Sequence, residues 1–311
     1  MVNLNIELPD GFLDEEIRCG YTVSKQMKEV WAVELDLAEK LIDVCQKNNI
    51  KIMTFAGTTL GAIRHKGFIP WDDDIDFIVS RNDYELLCNI ASKEFTYPYF
   101  FQTEYTDPGT IRGHAQLRNS STTGILNNGE IYCSFNQGIF IDIFPIDNIP
   151  DNSIEFEKMK KKARKYKNRY WRIANFSNRY NSKKDDDRIK KAMRTLAHAI
   201  MKVANYKNVL ENYFYKKYES VLSSYDNSKT KKCGTLSFML DESRFYFSCD
   251  SIKETTDMDF EFVKFPVPIG YEEQLVNAYG DYSKFVKGGS VHGSTLFDTN
   301  LPYTKYVKKG K

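Results

Sequence analysis

No uninterrupted apolar run in this chain approaches the ~20 residues that a membrane-spanning helix needs. The first residues, Met1-Val2-Asn3-Leu4-Asn5, lack the basic and apolar regions of a secretory signal, so the protein is expected to stay in the cytoplasmic compartment where it is made. The six cysteines are scattered, with no Cys-x-x-Cys pair. That spacing excludes a metal finger, and the low density argues against a disulfide framework; they read as reduced, mostly buried thiols. A large charge of one sign is also missing. Net charge is only +2, which gives no footprint of a nucleic-acid binder. No internal repeat or low-complexity tract is present. What remains is ordinary for a soluble globular chain of 311 residues, 41% hydrophobic and 28% charged, long enough for a real core. Its 20 Tyr and 21 Phe point to aromatic-rich packing.

Hydrophobic spacing predicts a helix from about Ser24 to Asn48, with Ser24 as its cap. A short strand follows over Ile50 to Phe55. Gly57-Thr58-Thr59 then turns the chain into a short helix, Thr59 to His65, ended by Gly67. Ile75 to Val79 reads as a second strand and Arg81 to Glu94 as helix. Tyr97 to Asp147 looks β-rich, with turns at Asp107-Pro108-Gly109 and Asn127-Asn128-Gly129. It closes on the buried strand 138–145, which carries a single acid, Asp142. From about Ser153 to Ser224 the pattern is helical, rich in Lys and Arg, without Gly or Pro, and broken by the polar stretch 181–187. Mixed structure resumes at Lys232, with a helix over Gly270 to Tyr279. The expected architecture is α+β: a catalytic core at 1–150, a basic helical insertion at 151–230, and a C-terminal α+β segment at 231–311 that completes the core.

The densest chemical signal is Trp71-Asp72-Asp73-Asp74-Ile75-Asp76. Asp74 and Asp76 sit at the mouth of a strand, and residues two apart on a strand face the same side. Two anions held that close repel unless a cation offsets them. Mg²⁺ suits carboxylate and phosphate oxygens, with Mn²⁺ as the alternative. Asp142, an acid in an apolar strand, is costly to bury unless paired or metal-bound. If its strand adjoins that of Asp76, the three acids can hold metal against a phosphate or pyrophosphate. Two duller alternatives stay open: a solvated Asp-rich loop, and a calcium loop. Asp72, Asp74 and Asp76 fit the first positions of an EF-hand, but Phe77 replaces its glycine and Asp83 its final glutamate.

The stretch Gly57 to Asp76, with Gly57-Thr58-Thr59-Leu60-Gly61 at one end and Trp71-Asp72-Asp73-Asp74-Ile75-Asp76 at the other, closely resembles the signature of the LicD family. That family includes bacterial phosphocholine transferases and is related to fukutin and the fukutin-related protein. Similar stretches follow at Gln116 to Asn119, Phe140 to Asp147, Phe265 to Pro268 and Tyr279 to Tyr282. The resemblance implies a nucleotidyltransferase fold of the DNA polymerase β type, a mixed sheet with flanking helices. It implies transfer of a phosphorylated alcohol, typically phosphocholine from CDP-choline, onto a sugar hydroxyl of a cell-surface glycan precursor, with release of CMP. Asp74, Asp76 and Asp142 would then bind Mg²⁺. Gly57, Thr58 and Thr59 would offer N–H and hydroxyl groups to phosphate at a helix N-terminus, and Arg64, Lys66 and Arg118 would neutralise phosphate charge. Asp72 would orient a ligand or act as base toward the acceptor.

Each role has a plainer counterpart. Gly57 can simply end a strand, Arg64 and Lys66 can be a solvated face or pair with Asp72 or Asp73, and Arg118 can brace Asp142. Trp71 reads as core rather than as a choline-stacking ring, and His65, His114 and His292 as packed or surface residues. Competing functions are an NTP-dependent nucleotidyltransferase, a CDP-ribitol or CDP-glycerol polyol-phosphate transferase, and a regulatory module with a decayed site. The basic run Lys158 to Arg172 is either a solvated helix face or a contact for anionic lipid and a lipid-linked acceptor. RNA ranks third, since no RNA-binding signature accompanies the charge.

Overall fold

The structure is a computed structural model; it describes residues 1–126, 130–178, 206–289, 292 and 295–307, with five isolated positions between 192 and 199. A hairpin of β1 (Glu16–Arg18) and β2 (Tyr21–Val23) leads into α1 (Lys25–Lys47). Ser24 caps α1 by accepting the Met27 N–H at 3.3 Å, an arrangement worth about 1 kcal/mol. Nearly every face of α1 is covered, including Val30, Trp31, Val33, Leu35, Leu37 and Leu41, so this helix is a core element rather than a surface one.

The chain continues through β3 (Ile52–Thr54), α2 (Ala56–His65), β4 (Asp76–Ser80) and α3 (Arg81–Glu94). Next come β5 (Tyr99–Gln102), β6 (Ala115–Asn119), β7 (Thr123–Ile125) and the long β8 (Ile139–Ile149). Then α4 (Ser153–Asn178) and α5 (Tyr206–Leu222) pack on each other, followed by β9 (Lys232–Gly234), the short α6 (Leu236–Met239) and β10 (Tyr246–Ser248). A hairpin of β11 (Thr255–Phe260) and β12 (Val263–Pro268), the helix α7 (Tyr271–Tyr279) and β13 (Leu296–Asp298) complete the chain.

The protein is thus α+β, with a mixed central sheet of seven strands. β8 is its spine: β4 lies parallel to it, while β6 and β9 pair antiparallel with its first and last stretches. The main core joins α1 to the sheet and the β11–β12 hairpin through Trp31, Leu35, Phe77, Ile143, Phe260 and Phe265. Trp31 stacks on Phe68 at 4.5 Å and Phe77 meets Phe265 edge-on at 5.4 Å; each such ring contributes roughly 1.5–3 kcal/mol by burial. A second apolar cluster holds α4 to α5 through Met159, Ala163, Tyr170, Tyr215 and Tyr218. All six cysteines are free thiols, with Cys19 exposed and Cys45, Cys133 and Cys233 buried.

Most expected elements appear with ends shifted by a residue or two. The largest correction is α2. It starts at Ala56, so Gly57, Thr58 and Thr59 lie in its first turn rather than before it. It is capped by Lys66, which takes the left-handed conformation at φ 52°, one residue before the Gly67 expected to end the helix. The turn at 127–129 and the break at 181–187 lie outside the described residues.

Candidate active site

The Asp-rich segment is fastened from three sides. The Trp31 indole on α1 donates to the Asp72 carbonyl at 3.0 Å. The Asp76 N–H donates to the Thr58 hydroxyl at 2.8 Å, and the Phe55 N–H donates to the Asp76 carbonyl at 3.0 Å. On the other flank the Asp142 N–H donates to the Ile75 carbonyl at 2.8 Å, extending the β4–β8 ladder upstream. Ile75 and Phe77 are fully buried, so the alternation sends Asp74 and Asp76 to the opposite, more open side.

In that ladder Asp76 stands opposite Asp142. Asp74, Asp142 and His292 each offer one ligand atom, and the three atoms lie within 4.8 Å of one another. The same holds for Asp72, Asp73 and Asp74. Two clusters therefore share Asp74. Gly57 closes the site from the α2 side: a Cβ there would stand 2.9 Å from the Asp72 carboxylate. With glycine there, the N-terminal turn of α2, with its partial positive charge, comes near Asp72 without displacing its carboxylate.

Electrostatics divide the acids. Burial, then the surrounding carboxylates, push Asp74 and Asp76 well above the usual range. Burial raises Asp72 to about 6. Asp142 goes the other way: burial would raise it, but the charge and hydrogen bond of His114, with His292 and Gln116, hold it below its ordinary value. His114 Nε2 lies 3.2 Å from Asp142 Oδ1, and the Gln116 amide donates to the same oxygen at 2.6 Å. His292 Nδ1 sits 3.2 Å from Asp73 and 3.8 Å from Asp74. Burial would lower this imidazole, yet Asp73 and the acids behind it raise it.

Several predicted residues sit elsewhere than expected. Arg118 is fully enclosed and cannot meet a phosphate. It donates to Gln102 Oε1 at 2.5 Å, to the Gly138 carbonyl at 2.7 Å and to Gln116 Oε1, which in turn holds Asp142. It is a brace, and burial lowers its pKa to about 9. Arg64 donates to the carbonyls of Tyr282 and Lys284 at 3.0 and 3.2 Å and lies over the Phe285 ring. Lys66 is exposed, and its carbonyl accepts from Glu261 N–H at 2.7 Å. The Thr58 hydroxyl serves Asp76, and that of Thr59 donates to Thr54 at 2.9 Å. Trp71 packs edge-on against Tyr21 and Phe285, in keeping with a structural ring.

Sequence reasoning passed over Glu34, His114, Gln116 and His292 as members of this site. Glu34 projects from α1 into the acid cluster with only 1% exposure, and its Oε2 has no hydrogen-bond partner among the described residues. Burial and the charges of Asp73, Asp72, Asp142 and Asp76 raise its pKa far above normal. The sequence offered only a weak signal: an acid between Val33 and Leu35, on a helix where Asp36 is buried as well. His114 and His292 carried none, because only the fold brings them to Asp142 and Asp73. Tyr279 on α7, 44% exposed, lies close enough to feel the acids: burial of part of its ring, then Asp76, Asp72 and Asp74, raise its phenol.

Residues 49–173 match the model of the LicD/FKTN/FKRP nucleotidyltransferase domain. Among its relatives is the lipopolysaccharide cholinephosphotransferase LicD of Haemophilus influenzae, 26% identical over 264 residues, which span 83% of this chain and 91% of the relative. An uncharacterized protein of Rickettsia prowazekii is 36% identical over 93 residues, 30% of this chain and 31% of its own length. One from Rickettsia typhi is 49% identical over 41 residues, 13% of each chain.

Proposed function

We propose that this protein is a phosphotransferase that moves phosphocholine from CDP-choline onto a sugar hydroxyl of a lipopolysaccharide or teichoic acid precursor, releasing CMP. The observation that carries the reading is the register of Asp76 with Asp142 beside Asp74. Similarity to a cholinephosphotransferase along most of both chains supports it. The polymerase β-type nucleotidyltransferase fold is part of the same proposal, as is the division into a core (1–150), a basic helical insertion (151–230) and a completing segment (231–311).

The donor set fits a hard divalent cation. Asp72, Asp73, Asp74, Asp76 and Asp142 converge with Glu34 beneath them, and like charges at such separations need a counter-ion. We assign Mg²⁺, or Mn²⁺, to Asp74, Asp76 and Asp142, with His292 as a neighbouring donor. The ion would supply charge neutralisation of the donor pyrophosphate. The chain's own groups do the rest. His114 and Gln116 hold Asp142 ionised and aimed. The first turn of α2, brought close by Gly57, presents N–H groups to an anion. Asp72, with its pKa near 6, accepts the proton of the acceptor hydroxyl. The hydroxyl oxygen attacks the choline-bearing phosphorus, the bond from that phosphorus to the bridging oxygen breaks, and CMP departs with that oxygen. No helix among the described residues is long and apolar enough to cross a membrane, so a lipid-linked acceptor would be met at the bilayer surface.

A CMP-release screen over CDP-choline, CDP-ethanolamine, CDP-glycerol and CDP-ribitol tests the donor. Pyrophosphate release from CTP instead would replace the proposal with nucleotidyl transfer. Silence with every donor in the presence of metal would remove it.

A further inference from the structure

The run 158–172 on α4 is not one uniform basic surface. Lys160 is taken by Glu157, Arg164 by Asp241, and Lys167 donates to the Ser237 carbonyl at 3.4 Å. Met159, Ala163 and Tyr170 point into the α4–α5 core. What remains is Lys158, Lys161, Lys162, Lys165, Arg169 and Arg172, all exposed. Among the described residues none of the six has an acidic partner. At about 100° per residue, these positions fall within one arc roughly 100° wide, off the buried face that meets α5, and only Arg169 among them reaches back over an α5 ring, Phe214 at 5.5 Å. The only other residue on that arc before the end of the run is Ile154, which is 65% exposed. Glu155 and Glu157 lie outside it.

The stripe from Lys158 to Arg172 is about 21 Å long and straight. None of the residues on this arc is aromatic and only Arg169 lies over a ring, Phe214 at 5.5 Å, so there is no row of rings on which successive bases could stack, which disfavours single-stranded RNA. Cations in a flat line, with one apolar side chain among them, complement a plane of anionic headgroups. The helix also runs beside the site: Arg164 and Lys167 contact Asp241 and Ser237, and Phe238 between them lies 5.2 Å from the His114 ring that abuts Asp142.

We propose that this arc of α4 is a docking surface for an anionic bilayer and holds the acid site at the membrane where a lipid-linked acceptor resides. The proposal rests on the acceptor reading above, and the following experiment separates the two.

The full chain is floated with phosphatidylcholine vesicles and with vesicles containing roughly a third phosphatidylglycerol. It should float only with the anionic vesicles and lose them at about 0.5 M salt. A variant with Lys158→Glu, Lys162→Glu and Arg169→Glu should bind at least about tenfold less. The equally charge-reversed Lys93→Glu, Lys229→Glu and Lys264→Glu protein should stay within about twofold. Glutamine at the same three α4 positions, with circular dichroism, guards against a folding defect. Equal flotation of the two charge-reversed proteins, flotation with pure phosphatidylcholine, or tighter binding to polyuridylate than to anionic vesicles would overturn it. CMP release is read on the same samples: flotation without release counts against the catalytic reading alone, and release without flotation against the docking surface alone.

Discussion

Asp76 and Asp142 are register partners across the parallel β4–β8 ladder, yet they carry opposite electrostatic histories. Asp142 is held ionised by His114 and Gln116, whereas Asp76 is pushed well above its normal range. One member of the pair keeps its charge and the other yields it until a cation arrives. Asp76→Asn and Asp142→Asn should each reduce CMP release by about a hundredfold or more, the loss of several kcal/mol of charge stabilisation. Asp76→Asn should not lower the melting temperature of metal-free protein at pH 8, since it removes an anion from a repelling set, whereas Asp142→Asn should lower it, since it removes the charge that His114 and Gln116 hold in place. Wild-type rates in both variants would refute the site.

The same electrostatics set a pH dependence of stability. Asp72, Asp74, Asp76 and Glu34 all have folded-state pKa values above those of the unfolded chain. The native state therefore binds more protons, and stability falls as pH rises. The fall should begin near pH 4, the unfolded carboxylate range, and continue through about 6, where Asp72 titrates, and beyond. Asp142, with its lowered pKa, opposes this weakly as one group against four. Melting curves in EDTA from pH 4 to 8 should slope downward, and Mg²⁺ should flatten them. Glu34→Gln should match wild type near pH 4 and melt higher at pH 8. A flat EDTA profile would contradict the crowded-acid picture.

Arg118 acts inside the fold. Replacing it with methionine leaves Gln102 Oε1, Gln116 Oε1 and the Gly138 carbonyl without their donor. The expected loss is roughly 3 kcal/mol in urea unfolding, since breaking a buried charged network leaves its partners uncompensated. CDP-choline KM in the folded fraction should stay within about threefold. A large KM change with intact stability would restore the phosphate contact.

Arg64 ties α2 to the segment after α7, which leads on toward His292. Arg64→Ala removes two bonds to backbone carbonyls and the contact with Phe285. A stability loss of about 1–3 kcal/mol is expected, with faster amide exchange across residues 282–288. Unchanged exchange there would show that Trp71 and its neighbours hold the segment unaided.

Helices α1 and α3, strands β4 and β8 and the pairing of Asp74 with Asp76 were legible in the sequence, because local spacing expresses them. A strand with period two must send both acids to one side, and an apolar strand carrying a lone acid must give it a partner. The brace role of Arg118 was not legible. A cation in a conspicuous motif reads as a ligand contact until its strand is seen to be enclosed on both sides. Nor were Glu34, His114 and His292, whose importance lies in what they face across the fold.

The sequence by itself determined the chemistry of this protein: its carboxylates, its Gly57 approach and the α+β order of its elements. Tertiary structure alone decided which charges those carboxylates keep and which cations reach them. Protonation and pairing depend on burial and on neighbours distant in the chain. Thus β8 brings Asp142 to Asp76, β6 brings Gln116 and Arg118 to Asp142, and α1 places Glu34 beneath them all.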